Sequence, residues 1–256
     1  MELNFKQFSD VGEPLVMVHG LFGSLENLAG IAKLLSDSFS VYSIDLRNHG
    51  RSPHSDQMTL ADMAGDIVEF LDSQNIDSAY LFGHSLGGKA MMELALSAPE
   101  RAKKVVVGDI APVDYVVPRH EHIFAGLNSV DLDSVIARKD VDDVLANFIK
   151  EPPVRSFILK NLYKTESGHF AWRANVKALQ VNYSHIIGAN RSDTQYLNPI
   201  LFLKGEHSDY LLPEHRPEVA KRFPNADLKV VTGTGHWLHA EKPNMVARLT
   251  ATFLND

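Results

Sequence analysis

The chain has 256 residues, 45% of them hydrophobic and 22% charged, enough for one α/β domain with a sizeable core and a small insertion. A net charge of -7 with no dense run of Lys and Arg speaks against a nucleic-acid surface, and the absence of Cys removes disulfides, thiolate zinc sites and cysteine nucleophiles together. The N-terminus lacks the apolar core of a signal peptide and no apolar run reaches membrane-spanning length, so a cytoplasmic protein is expected.

Along the first half, short apolar runs alternate with longer segments of helical period. Residues 15–19 read as a buried strand, 25–35 as a helix, 39–44 as a strand and 60–71 as a helix. The rhythm continues with a strand at 79–82, a helix at 86–98 and a strand at 104–109. Continuous apolar strands between amphipathic helices predict a mostly parallel sheet covered by helices on both faces.

From about Asp114 to Asn198 the pattern becomes helical, as at 141–149 and 174–187, with few convincing strands. Strand character returns at 200–203 and 228–231, followed by helical segments at 214–223 and 244–254. The expected organisation is an α/β core of residues 1–113 and 199–256, interrupted by a small helical cap of residues 114–198 over one end of the sheet. A second independent domain is the alternative. The shortness of the segment and its interruption by Pro152-Pro153 and Gly168 favour the cap.

Gly83-His84-Ser85-Leu86-Gly87 lies between the strand at 79–82 and the helix that follows. A G-x-S-x-G pentapeptide in strand–turn–helix context forms a sharp turn that lifts the serine hydroxyl clear of the sheet. The flanking glycines are needed because a Cβ there would collide with the neighbouring strand or helix. Ser85 is therefore the candidate nucleophile of a serine hydrolase. A serine hydroxyl needs an adjacent base, and His236 in Gly233-Thr234-Gly235-His236-Trp237 follows the last expected strand. The competing reading is a loop histidine packed on Trp237, but the order serine, acid, histidine favours a base. His239 is read as a support for the loop.

Two carboxylates compete to orient that base. Asp109 ends the strand one place after the nucleophile, and Asp209 follows the next strand in Gly205-Glu206-His207-Ser208-Asp209. A Gly-x-x-Asp spacing in the second loop would put the carboxylate at position 208, which is Ser208. Asp109 also stands on a rigid strand end, so it is preferred over Asp209, with Asp114 a distant third. Its alternative role is a cap for Ile110-Ala111-Pro112. The developing oxyanion requires preorganised donors, for which the backbone N–H groups of Leu86 and Leu21 are the candidates, Phe22 being less favoured. His19, Asp45, Arg47, Asn48 and His49 are read as structural supports of these turns. Phe124, Leu127, Phe157, Leu162, Phe170 and Trp172 either line an acyl pocket or, more simply, pack the cap.

Together, His19-Gly20-Leu21-Phe22-Gly23-Ser24, Asp45-Leu46-Arg47-Asn48-His49-Gly50, Gly83-His84-Ser85-Leu86-Gly87-Gly88-Lys89, Asp109-Ile110-Ala111-Pro112-Val113-Asp114-Tyr115 and Gly235-His236-Trp237-Leu238-His239-Ala240-Glu241-Lys242-Pro243 resemble the YbfF-type esterases of the α/β-hydrolase superfamily. The resemblance spans nearly the whole chain. It implies the α/β-hydrolase fold with a small helical cap, hydrolysis of small-molecule acyl esters or thioesters, and no cofactor or metal. It also implies an acid after the family's sixth strand, which corresponds to Asp109. The chain departs from the family in Asp209, in a loop usually without a carboxylate. Lys89, also part of the resemblance, reads as a surface or salt-bridging side chain. The same three residues would serve a carbon–carbon bond hydrolase, and the fold could also carry a ligand sensor. Dehalogenases and epoxide hydrolases need an aspartate at the elbow, where this chain has Ser85.

Overall fold

The computed structural model describes residues 1–117, 119–190 and 194–256. Positions 118 and 191–193, within the expected cap segment, lie outside the described residues. The first half runs β1 (Phe5–Gln7), β2 (Glu13–Val18), α1 (Ala29–Leu35), β3 (Phe39–Ile44), α2 (Leu60–Ser73), β4 (Ala79–His84), α3 (Leu86–Ser97) and β5 (Ala102–Gly108). Next come α4 (Glu121–Asn128), α5 (Arg138–Leu145), α6 (Pro152–Leu159), β6 (Leu162–Lys164), β7 (Phe170–Trp172), α7 (Val176–Val181) and α8 (Tyr183–Ile186). The chain returns to the sheet as β8 (Ile200–Gly205), then α9 (Arg216–Arg222), β9 (Ala226–Val231), α10 (Leu238–Glu241) and α11 (Pro243–Asn255).

The main sheet has seven strands in the order β1-β3-β2-β4-β5-β8-β9. Only β1 is antiparallel to its neighbour; the other pairings are parallel. Alternation along β2 explains why its sequence reads as an unbroken apolar run. Leu15 and Met17 join the core under α1 and α11, while Val16 and Val18 join the one under α2 and α3. Burying each such side chain contributes about 1.5–3 kcal/mol. The strand that Asp109 follows is β5, the fifth along this chain and two places from the β9 edge.

Three local expectations differ from the structure. The helix expected at 25–35 is split, a 3-10 turn at Leu25–Leu28 preceding α1. Pro152 and Pro153 do not interrupt a helix but begin α6, because the first helical turn has no partner for its N–H groups and tolerates their loss. Residues β6 and β7 pair antiparallel in a segment that shows little strand character, each only three residues long.

The stretch between β5 and β8 shares its core with the sheet. Phe124, Leu145, Ile158 and Leu179 belong to the same buried cluster as Met63, Met91 and Val107. Lys89 is not the surface lysine its sequence suggests. It is 2% exposed on α3, and its Nζ donates to Val113 O at 2.8 Å and Gly188 O at 2.6 Å. Those carbonyls stand at the two crossings between sheet and insertion, which are also joined by Tyr115 N–H to Ile187 O (3.1 Å) and Ala189 N–H to Asp114 Oδ1 (2.8 Å). Burial pushes the Lys89 pKa down to about 7. Among the described residues, no helix is long and apolar enough to cross a membrane.

Candidate active site

Ser85 joins β4 to α3 with φ 53° and ψ -117°, a region that L-residues rarely occupy. Holding it there costs on the order of 1–3 kcal/mol. Close packing around the turn maintains it: a Cβ on Gly83 would lie 2.3 Å from Gly87 O, and one on Gly87 would lie 2.4 Å from Val18 O. The Ser85 N–H is in turn tied to Gly108 O at 2.8 Å. The hydroxyl consequently stands at the carboxyl end of the central strands, half-buried, where open α/β sheets bind ligands.

Ser85 Oγ is 3.0 Å from His236 Nε2, and His236 Nδ1 is 2.7 Å from Asp109 Oδ2. The carboxylate can only accept, so Nδ1 carries the proton and Nε2 faces the hydroxyl as an acceptor. Asp109 is fully buried. Its Oδ1 accepts from Gly205 N–H at 2.9 Å, its Oδ2 accepts from the Ser208 hydroxyl, and its own N–H reaches Leu203 O at 2.8 Å. Asp209 instead faces solvent and pairs with Arg119 Nη1 at 2.6 Å, which holds its carboxyl below the usual carboxylate range. Asp114 caps the Ala189 amide. Of the three aspartates, Asp109 is therefore the one hydrogen-bonded to the imidazole.

Ser208 escapes sequence reasoning as a partner of the acid, although its position was conspicuous. It occupies the place where a Gly-x-x-Asp loop would carry a carboxylate, and its hydroxyl supports a carboxylate from the neighbouring strand end. His84, the variable residue of the pentapeptide, is a second omission. Its Nε2 donates to the His236 carbonyl at 2.8 Å and its ring lies 4.8 Å from that of His236. Burial lowers its pKa well below the ordinary histidine value, keeping it neutral. A third is Tyr210, whose ring stacks on the imidazole of His236 at 3.9 Å and 20°. The Arg119 guanidinium covers the outer side of Tyr210, 4.4 Å from its ring centre.

The Leu86 amide opens α3, where first-turn N–H groups have no partner in the helix. Among the described residues, neither it nor the Leu21 amide donates a hydrogen bond within the protein. The Phe22 amide is taken, donating to His49 Nε2 at 3.1 Å. His19 braces the same loop: its Nδ1 donates to Gly20 O (2.8 Å) and its Nε2 accepts from Leu46 N–H (3.2 Å). Burial lowers the pKa of His19 to about 4 and that of His49 to about 3, so both rings are neutral at physiological pH. Asp45 accepts the Leu25 and Arg51 amides, and Arg47 pairs with Asp66, as turn supports do.

A cavity of about 460 Å³ opens beside Ser85, lined by Leu21, His236, Trp237, Val154 and Glu241 among others. Of the aromatic and aliphatic residues considered for an acyl pocket, Phe157 lines this cavity, whereas Phe124 is buried edge-to-face against Phe22 and Tyr183. Among the described residues, no group of three or more His, Asp or Glu side chains is placed to hold a metal ion.

Comparison with known proteins agrees with this architecture. Residues 13–243 match the family described as alpha/beta hydrolase fold. The chain is 40% identical over 260 residues to Esterase YbfF of Escherichia coli (strain K12), covering 100% of both. It is 36% identical over 265 residues to the sn-1-specific diacylglycerol lipase ABHD11 of Danio rerio, covering 99% of this chain and 83% of that protein. A solved structure described as a marine microorganism esterase superposes with a TM-score of 0.96 at 41% identity, covering 98% of this chain and 99% of the other. The chain belongs to the alpha/beta hydrolase fold family and, within it, to the carboxylic ester hydrolases similar to Esterase YbfF.

Proposed function

We propose that the chain hydrolyses small-molecule acyl esters in two steps, with Ser85 as nucleophile, His236 as general base and acid, and Asp109 as the group that orients it. Ser85 Oγ attacks the carbonyl carbon as His236 Nε2 takes the hydroxyl proton. Asp109 holds the Nδ1–H tautomer and stabilises the imidazolium. The Leu21 and Leu86 amides receive the oxyanion, an interaction worth about 3–4 kcal/mol per donor in comparable sites. The intermediate then collapses, and the alcohol leaves with the proton from His236. A water molecule, deprotonated by His236, hydrolyses the acyl-enzyme.

The observation that carries this reading is the unbroken line from Asp109 Oδ2 through His236 to Ser85 Oγ, with steps of 2.7 and 3.0 Å, ending at a cavity. In the same reading, residues 114–198 form a cap that walls the cavity. Thioesters fall within this chemistry, since the leaving atom differs but the carbonyl addition does not. The test is Ser85→Ala assayed with p-nitrophenyl acetate: turnover should fall by about 10⁴-fold or more, while a folded variant with retained activity would overturn the assignment. Turnover of a vinylogous diketone in place of any ester would redirect it to carbon–carbon bond hydrolysis.

A further inference from the structure

Ser85 stands between two recesses of very different size. The large one is about 460 Å³; the other is about 30 Å³. Both are bordered by Leu21, Ser85, Arg119, His120 and Tyr210, so the nucleophile lies on the ridge between them. His236 lines the large recess. The small one is lined instead by Leu86, Ile110, Tyr115, Ile186, Ile187 and Lys89.

We infer that these recesses divide the substrate, a short acyl group lodging in the small one and a bulky alcohol or thiol leaving group extending into the large one. The inference rests on the proposed function and follows from the directions of bonds at the tetrahedral carbon. One bond goes to Ser85 Oγ and the oxyanion turns towards the Leu21 and Leu86 amides. The leaving atom must come within hydrogen-bond reach of His236 Nε2, because it departs with that proton. The leaving group is thereby directed to the recess that His236 borders. The acyl substituent takes the remaining direction, towards the recess beside Leu86.

Size then sets the substrate class. A void of about 30 Å³ admits on the order of two water molecules, which suits an acetyl to butyryl group and not a fatty chain. Its walls have little freedom to retreat. Leu86, Ile110 and Ile186 are each 3% exposed or less, and Lys89 is fastened to two carbonyls. The Tyr115 hydroxyl accepts from Ala111 N–H at 2.9 Å and donates to Tyr210 O. Widening the recess would break these contacts together. The expected substrates are therefore two- to four-carbon acyl esters or thioesters of large leaving groups.

The experiment measures kcat/KM for p-nitrophenyl esters of two, four, eight and twelve acyl carbons. Acetyl or butyryl should lead, with a fall of at least 100-fold by eight carbons; an octanoyl or dodecanoyl ester cleaved as fast as the acetyl ester would overturn the inference. Ile187→Ala and Ile186→Ala, checked for folding by melting temperature, should raise the ratio of octanoyl to acetyl kcat/KM at least tenfold. A folded variant with an unchanged chain-length profile would count against the small recess. Acetate oxygen esters and thioesters with progressively larger leaving groups should all remain substrates, and Val154→Trp should lower kcat/KM for the largest at least tenfold more than for the smallest. If long esters are cleaved through Ser85, the esterase reading stands and this inference falls; if no ester is cleaved at any length, both fall.

Discussion

Ser85, Asp109 and His236 reach the site from backbone that is bound to the sheet. Ser85 N–H meets Gly108 O, Asp109 N–H meets Leu203 O, and the His236 carbonyl is held by His84. The stretch between β5 and β8 is held largely through side chains, beside a main-chain bond from Asn175 N–H to Asn48 O. Its crossings meet the sheet layer through the Lys89 ammonium, and its first loop meets the rim through Arg119 on Asp209 and the Tyr115 hydroxyl on Tyr210. The backbones of Ser85 and Asp109 are fixed by main-chain hydrogen bonds, and that of His236 by the buried His84 imidazole on β4. Groups that shape the cavity rest on side chains, which substitution can alter without unravelling the sheet.

The sharpest way to break that contrast is to exchange the two aspartates' expected roles. Asp109→Asn should lower kcat by about 10⁴-fold, because an amide in place of the carboxylate favours the wrong imidazole tautomer. Asp209→Asn should change kcat less than tenfold, since its carboxylate pairs with Arg119 in solvent. Comparable losses in both variants would mean that the exposed pair takes part in orienting His236.

Acid should distinguish the regions by stability. His19 and His49 brace the loop under the sheet rim with pKa values of about 4 and 3, against about 6.5 unfolded. The unfolded chain therefore binds more protons in this range, and stability falls as pH drops from about 6.5 towards the folded values. The loss should reach on the order of 3 kcal/mol for His19 alone. Urea midpoints between pH 7 and 4 measure it, and a flat profile would contradict neutral, buried rings.

The smallest expected effect concerns the attachment of the insertion. Lys89→Met leaves the Val113 and Gly188 carbonyls without their donor and should cost roughly 1–3 kcal/mol. Limited proteolysis should then cut within residues 114–190 before it cuts the sheet. The opposite order would show that Lys89 supports α3 more than the insertion.

Much of this molecule was legible because its signals are local. Residues 39–44 form a strand at the expected bounds, since a parallel strand buried on both faces must be apolar throughout. The elbow could be read because its backbone demands glycine at Gly83 and Gly87 for contacts that lie within a few residues or on the adjoining strand. Short pieces were less legible: β6 and β7 have three residues each, too few for any periodicity to register.

The sequence by itself determined the α/β alternation, the turn bearing Ser85 and the glycine-rich loop bearing His236, because periodicity and steric exclusion act over a few neighbouring residues. Only the tertiary structure decided which aspartate adjoins His236, that Ser208 supports it, that Lys89 is buried between two crossings, and that the spaces on either side of Ser85 differ in size. Those outcomes depend on distances between segments far apart in the chain, 127 positions in the case of Asp109 and His236. No local preference specifies such distances until the strands have taken their order in the sheet.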